Sequence, residues 1–175
     1  MFKGISFIGI PLDPFVSAHD VLLGLAVGDV LAARYNQARA AYDLYPTLSP
    51  MQQGHAQFVR MPTAQPGFAV DGRTSPGTPI AVALRPGWNL IANPLNEVVP
   101  TSRVRVVRAA NFPRTYAESV GSDIGTDFFT FAPGANDPVT GAPETGTMLA
   151  ATQFEPGKGY FVRVLAPEGV KLLFT

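Results

Sequence analysis

Two short blocks of residues occur twice in this chain, in the same order each time. The stretch GISFIGIPL at 4–12 matches GWNLIANPL at 87–95, and QQGHAQFVRM at 52–61 matches EPGKGYFVRV at 155–164. The copies are offset by 83 residues in the first block and by 103 in the second, so the second half is longer between its blocks. Repetition in matched order is typical of duplicated structural units.

The repeat predicts two related β-rich halves, residues 1–84 and residues 85–175. Their junction, ALRPGWN at 83–89, leaves little room for a linker. We therefore expect the halves to pack together as one unit. A chain of 175 residues is long enough to form a hydrophobic core without help from a metal or a disulfide.

Seventeen Gly and seventeen Pro residues separate short apolar runs, which indicates many turns and short strands. We predict an all-β fold with a minor helix, in which two similar halves pack as sandwich-like or half-barrel sheets. A helix is expected at 112–121, where Pro and Gly flank the pattern, and 17–27 is a second candidate. The predicted strands are 4–11, 29–36, 40–45, 54–61, 68–70 and 79–84 in the first half, and 88–93, 104–108, 127–132, 147–153, 158–164 and 169–174 in the second.

The run GWNLIAN carries apolar residues on both faces of a strand. Alternation places Trp88, Leu90 and Ala92 on one face and Ile91 on the other. Such a pattern is typical of a central strand that is covered on each side. Asn93, which precedes a proline, is expected to end the strand and to bond nearby backbone in the turn.

Charge and cysteine content exclude several classes of function. Thirteen Lys and Arg residues balance thirteen Asp and Glu residues, whereas a nucleic-acid-binding domain has a basic excess, so we expect no nucleic acid partner. The absence of Cys excludes thiol catalysis, Cys-based zinc sites and disulfides.

No apolar run reaches the length of a membrane span. The N-terminal stretch MFKGISFIGIPLDPF lacks a small-residue cleavage site and is predicted to be a strand.

The second half resembles a module that is common in bacterial secreted and cell-surface proteins. Its members carry a Gly-Trp-Asn-Leu-Ile-Gly-Asn-Pro motif and later a Gly-x-Gly-Tyr-Trp-Val motif, which match PGWNLIANPL and PGKGYFVRV here. Ala92 stands where the motif has Gly, Phe161 stands where it has Trp, and the first copy has no Trp. The resemblance implies an exported, β-rich accessory module without an activity of its own.

The residues that support catalysis elsewhere form no recognisable constellation here. The chain has two His residues, His19 and His55, but no G-x-S-x-G sequence to supply a nucleophilic Ser. His55 aligns with Lys158 of the second copy, which suggests an exposed turn position rather than a general base. The Glu residues fall in predicted loops or in the predicted helix, and nothing marks two of them as a glycosidase pair. We predict that the chain is not an enzyme.

Two loops contain oxygen ligands of the kind that calcium prefers. Asp123 and Asp127 lie in GSDIGTD, and Asp137 lies in a Gly-rich loop at 134–146. Neither loop has the regular spacing of an established calcium motif, and Asp and Asn are ordinary turn formers. These three residues are weak calcium candidates, and no other cofactor is expected.

Aromatic residues are the candidate ligand-binding groups. Exposed rings can stack on the apolar faces of sugar rings, while phenol edges form hydrogen bonds. For Trp88 and Tyr160 a place in the core is the favoured interpretation, because such large aromatic side chains more often fill the core of a β domain. Tyr42 and Tyr45 fall on opposite faces of their predicted strand, so at least one of them is expected to be exposed. The candidates are Tyr42, Tyr45, Tyr35, Trp88 and Tyr160.

The sequence thus predicts a non-catalytic accessory module, located outside the cell or at its surface as part of a larger exported protein. Its expected partner is a polysaccharide or another cell-surface component. The alternative is a structural subunit of a surface assembly, filament or virion shell. Low charge and a net charge of zero also suit self-association.

Overall fold

A computed structural model of the chain describes residues 4–15, 31–39, 41–44, 47–48, 51–61, 70–74, 79–109, 112–133 and 146–175. This part of the chain consists mainly of strands and turns with one α-helical turn, which confirms the predicted all-β fold with a minor helix. The first eight strands are β1 (Gly4–Gly9), β2 (Asp13–Pro14), β3 (Leu31–Asn36), β4 (Ala41–Leu44), β5 (Ala56–Met61), β6 (Gly72–Arg73), β7 (Ile80–Leu84) and β8 (Gly87–Ala92). The others are β9 (Val99–Pro100), β10 (Arg105–Val107), β11 (Arg114–Thr115), β12 (Ile124–Pro133), β13 (Gly146–Ala151), β14 (Gln153–Phe154), β15 (Gly159–Val164) and β16 (Val170–Phe174).

The longer strands lie close to their predicted positions. The strands missed by the sequence pattern are the two-residue strands β2, β6, β9, β11 and β14, which are too short to carry an alternation. The candidate helix at 17–27 lies outside the described residues, and of the predicted strand at 68–70 only Val70 is described.

The helix predicted at 112–121 is a single turn, α1 (Tyr116–Ser119). Its start is set by Thr115, whose hydroxyl accepts from the Glu118 N–H at 3.3 Å while the Glu118 carboxylate accepts from the Thr115 N–H at 2.8 Å. This capping box satisfies two backbone donors at the helix start. The residues before it are extended because Arg114 and Thr115 pair with β10, so the prediction was too long at its N-terminal end.

Two four-stranded antiparallel sheets have the same strand order. The first sheet runs β1-β5-β3-β4, and the second sheet runs β8-β15-β12-β13. In the first sheet β1 pairs with β5, and in the second sheet β8 pairs with β15. The other edge of β5 pairs with the hairpin β3–β4, and the other edge of β15 pairs with the hairpin β12–β13. The registers also correspond, since Phe7 pairs with Phe58 and the aligned Leu90 pairs with the aligned Phe161.

The two sheets meet through reciprocal backbone hydrogen bonds. The Gly9 N–H donates to the Gly157 carbonyl at 3.2 Å, and the Ala92 N–H donates to the Gly54 carbonyl at 3.0 Å. Gly9 aligns with Ala92, and Gly54 aligns with Gly157, so each bond is the counterpart of the other. Reciprocity of this kind is the property of a two-fold interface. It supports the internal repeat, which stays a prediction from the sequence.

Small residues allow this close approach at the centre of the interface. A Cβ atom placed on Gly9 would lie 2.0 Å from the Cβ atom of Ala92, and one on Gly159 would lie 2.8 Å from that of Ala56. Each pair joins two aligned positions, one from each half. Two alanines would collide at either place, which accounts for Gly at one of the two aligned positions and Ala at the other.

A third sheet, in the order β11-β10-β16-β7, covers the opposite face of the second sheet. The main core lies between them and contains Phe128, Phe154, Tyr160 and Leu172. A smaller cluster around Phe7 lies between the first and second sheets. The second sheet is therefore the middle layer of three, which explains why its strands β8 and β15 are apolar on both faces.

Strand β7 falls within residues 1–84 of the predicted first half, yet it pairs with β16 near the C-terminus. By strand pairing, Ile80–Leu84 belongs with the second half. Asn93 ends β8 in the expected way: its amide donates to the Glu97 and Phe154 carbonyls at 2.6 and 2.9 Å, and its side-chain oxygen accepts from the Leu95 N–H.

Candidate functional site

An apolar groove of about 420 Å³ opens between the first and second sheets. It brings together three of the predicted ligand-binding residues, Tyr35, Tyr42 and Trp88. Tyr45 lies outside the described residues. Tyr160 is in the core rather than in the groove, with 1% of its surface exposed. The other lining residues are Phe129, Met148 and Phe161.

The β3–β4 hairpin holds the two tyrosines side by side. Tyr35 and Tyr42 are paired across the strands, and their rings meet edge to face with centroids 5.4 Å apart. The hairpin turn is tied by Asn36, whose amide donates to the Asp43 carboxylate at 2.8 Å and whose oxygen accepts from the Ala38 N–H. Arg39 forms an ion pair with Asp43. These local bonds position the Tyr42 ring, which is 50% exposed, at the groove wall.

Trp88 lies at the start of β8 and is 43% exposed. Its strand neighbours Leu90 and Ala92 are buried on the same face, between the two sheets. The indole ring lies over Phe129 and Phe161, with centroid distances of 6.2 and 6.3 Å. Alternation correctly predicted that Trp88, Leu90 and Ala92 share a face. The described residues of the first sheet cover Leu90 and Ala92 but leave Trp88 partly exposed. Trp88 is therefore a groove residue and not a core residue.

Three residues of the groove were not predicted from the sequence: Phe129, Met148 and Phe161. Phe129 and Met148 lie on the neighbouring strands β12 and β13, and Phe161 lies on β15. A signal existed for Phe161, which stands where the resembled motif has Trp. For the other two, alternation shows only that they lie on one face of the sheet, and it does not show that this face meets the first half.

A second groove of about 380 Å³ adjoins the first and shares Tyr35 and Trp88 with it. Its lining is polar, with the side chains of Arg34, Arg85 and His55 among others. Burial lowers the pKa of His55, and the nearby positive charge of Arg34 lowers it further. His55 is thus partly buried in a groove, and not on an open turn as expected. His19 lies outside the described residues.

Tyr160 has a structural role that is measurable through its ionisation. Its hydroxyl accepts a hydrogen bond from the Glu155 N–H at 2.7 Å, and its ring packs on Phe154. Burial raises the pKa of Tyr160 to about 12. The position explains why Tyr160 cannot serve as an exposed ligand-binding ring.

We expect Tyr160 to contribute to alkaline unfolding. In the unfolded chain its phenol ionises near pH 10, while the folded chain retains the proton up to about pH 12. The stability it supports is therefore complete below pH 10 and is lost as the pH rises from 10 towards 12. Urea unfolding at pH 8 and pH 11 should show a larger loss of stability for the natural chain than for Tyr160→Phe. Equal losses would contradict the assignment.

The calcium candidates do not form a site in the described part of the chain. Asp123 is buried, and its carboxylate oxygens lie 3.0 Å from an Arg114 nitrogen and 3.5 Å from an Arg108 nitrogen. Two guanidinium groups already neutralise this carboxylate, so it is a poor calcium ligand. Asp127 is half-buried on β12, and Asp137 lies outside the described residues. No group of three His, Asp or Glu residues suited to a metal ion occurs within the described ranges.

None of the described helices has the length and apolar character needed to cross a membrane. Comparison with models of known families, with curated proteins and with solved structures finds no significant match for this chain. The groove itself, with its two tyrosines, its tryptophan and the polar groove beside it, is therefore the basis for a functional assignment.

Proposed function

We propose that this chain is an accessory binding module whose aromatic groove holds sugar rings of a polysaccharide. The observation that carries the proposal is the convergence of Tyr35, Tyr42 and Trp88, from three different strands, on one open apolar groove. The groove volume of about 420 Å³ falls in the range of ordinary small-ligand sites.

The exposure of these rings requires an explanation other than core packing. Tyr42 and Trp88 are 50% and 43% exposed, and Met148, which also lines the groove, is 42% exposed. Aromatic side chains left open to water in one place are unfavourable unless a partner covers them. They are the residues for which a binding partner would gain the most contact area.

Sugar rings fit this chemistry well. The C–H faces of a pyranose ring stack on aromatic faces, and its hydroxyl groups form hydrogen bonds at the groove edges. Burial, together with the neighbouring Tyr35, raises the pKa of Tyr42. The Tyr42 phenol therefore remains protonated at neutral pH and can donate a hydrogen bond to a sugar hydroxyl.

Trp88 is the single tryptophan of the chain, so intrinsic fluorescence reports directly on the groove. We expect soluble fragments of the correct polysaccharide to change the intensity or wavelength of this emission in a saturable way. Trp88→Ala and Tyr42→Ala should each weaken retention on the insoluble polysaccharide about tenfold, because each removes one stacking ring.

The matched control is Phe112→Ala, which removes a ring that is 90% exposed and does not line the groove. It should leave retention unchanged. If no polysaccharide in a broad panel perturbs the fluorescence or retains the chain, the proposal is wrong. Retention that Tyr42→Ala and Trp88→Ala leave intact would place any sugar site elsewhere.

The cellular setting belongs to the same proposal. The stretches PGWNLIANPL and PGKGYFVRV resemble motifs in modules of exported bacterial proteins. Polysaccharides are abundant at cell surfaces. Within this proposal the chain works outside the cell or at its surface, as part of a larger exported protein. Detection of the parent protein in the culture medium or on intact cells tests this part directly.

A structural role in a surface assembly is the second candidate, and the sheet edges favour it. Among the described strands, β4 pairs only with β3, and β13 pairs only with β12. These edge strands expose Leu44 and Leu149, and free edges with apolar side chains promote strand addition. Sedimentation at increasing concentration should then show growing species that Leu149→Lys reduces. A chain that stays monomeric would exclude this role.

A further inference from the structure

The polar groove beside the aromatic groove contains two guanidinium groups that form no ion pair with any acidic side chain in the described part of the chain. Arg34 on β3 and Arg85 after β7 both line it. Neither guanidinium is within ion-pair distance of an acidic group among the described residues. The acidic side chain in the lining, Asp43, is already paired with Arg39 and accepts a hydrogen bond from Asn36.

The amide side chains of this groove are occupied by local structure. The Asn89 amide donates to the Arg85 and Gly87 carbonyls at 2.7 and 3.0 Å, and its oxygen accepts from the Arg85 N–H at 3.1 Å. Asn36 is bonded to Asp43 and to the Ala38 N–H. The groups left for a ligand are thus mainly the two guanidinium groups, which are donors without any acceptor atom.

Because Arg34 is partly buried, an anionic partner would stabilise its charge more than it would at a fully exposed site. Burial lowers the pKa of Arg34, because the charged form loses contact with water. An anion in the groove would return the lost stabilisation through charge-assisted hydrogen bonds, which are stronger than neutral ones. The planar guanidinium groups also match the two oxygens of a carboxylate or sulfate group.

The two grooves are adjacent. They share the walls formed by Tyr35 and Trp88, so a ring held over the aromatic side chains lies next to the two arginines. We propose that the polar groove is an anion subsite, and that the module selects a polysaccharide whose sugars carry a carboxylate or sulfate group. This inference rests on the proposed function for the position of the ring.

The test is a set of fluorescence titrations of Trp88 with matched neutral and acidic polymers. Suitable pairs are methyl-esterified and free polygalacturonate, hydroxyethyl- and carboxymethyl-cellulose, and dextran and dextran sulfate. In at least one pair we expect the acidic polymer to bind about tenfold more tightly. The first two pairs report on carboxylate, and the third reports on sulfate. Because the chain has no net charge, general attraction to polyanions is small.

Three variants identify the source of the preference. Arg34→Gln and Arg85→Gln should each remove most of the difference in affinity between the acidic polymer and the neutral polymer. Arg60→Gln makes the same change in net charge at an exposed arginine outside the groove lining, and it should keep the preference. Because Arg85 is exposed at a turn, its variant remains informative if Arg34→Gln fails to fold.

The outcomes separate this inference from the proposed function. Equal binding of both polymers in every pair, weakened by Tyr42→Ala, would overturn the anion subsite and leave the sugar-binding groove in place. Acidic-polymer binding that depends on Arg34 and Arg85 but is unchanged in Tyr42→Ala would support the subsite and contradict the stacking groove. A preference that all three arginine variants reduce equally would overturn the subsite, since it would reflect overall charge.

Discussion

Gly9→Ala is expected to destabilise the fold by about 3 kcal/mol, although it adds only one methyl group. The new Cβ atom would lie 2.0 Å from the Cβ atom of Ala92 and 3.2 Å from the His55 carbonyl oxygen. Neither neighbour is the end of a flexible side chain, so relief requires the first and second sheets to move apart. The reciprocal hydrogen bonds at Gly9 and Ala92 would then lengthen. Urea or thermal unfolding measures the loss.

A double-mutant cycle makes this prediction specific. Ala92→Gly removes the atom with which the new methyl group collides, so Gly9→Ala combined with Ala92→Gly should recover most of the lost stability. Gly125→Ala on β12 is the matched control, because its Cβ atom would be 3.4 Å from that of Arg163, which is ordinary contact. If the double variant is no more stable than Gly9→Ala, the two halves do not meet at these residues.

Phe154→Ala is expected to cost about 3 to 5 kcal/mol of unfolding free energy. Phe154 is fully buried, and its ring contacts Phe128, Tyr160 and Phe174 at centroid distances of 4.6, 4.8 and 5.2 Å. It joins the second and third sheets at the centre of the main core. Truncation removes this contact and leaves a cavity that neighbouring rings cannot fill.

The control for this variant is again Phe112→Ala, which deletes the same group from a 90% exposed site and should change stability by less than about 0.5 kcal/mol. Phe154→Leu should fall between the two, because it keeps part of the buried volume. A loss below about 1 kcal/mol for Phe154→Ala would show that the second and third sheets are not packed through this ring.

Local patterns predicted much of the secondary structure. Alternating apolar residues placed most of the longer strands within a few positions of their observed bounds, and the Asn-Pro pair correctly marked the end of β8. The helix at 112–121 was overestimated, because a propensity pattern does not register that Arg114 and Thr115 pair with β10. Pairing across strands is a tertiary property, and it overrides local preference at this point.

The candidate site was predicted in part. Tyr35 and Tyr42 were among the aromatic candidates, and pairing between neighbouring strands brings them together. For both Trp88 and Tyr160 the sequence favoured a place in the core, but only Tyr160 is buried there. Tyr160 faces the third sheet and is buried, whereas Trp88 lies at the start of its strand and is 43% exposed.

By itself, the sequence determined that this chain is built from short strands, that two blocks recur in order, and where several strands end. These are consequences of side-chain alternation and turn chemistry, which act between residues close in the chain. The tertiary structure decided that the second sheet is a middle layer, and that residues from β3, β4, β8, β12, β13 and β15 share one groove. It also placed Arg34 and Arg85 beside that groove. Contacts of this kind depend on how sheets pack face to face. The position of a residue along its own strand does not predict which distant strand will cover it.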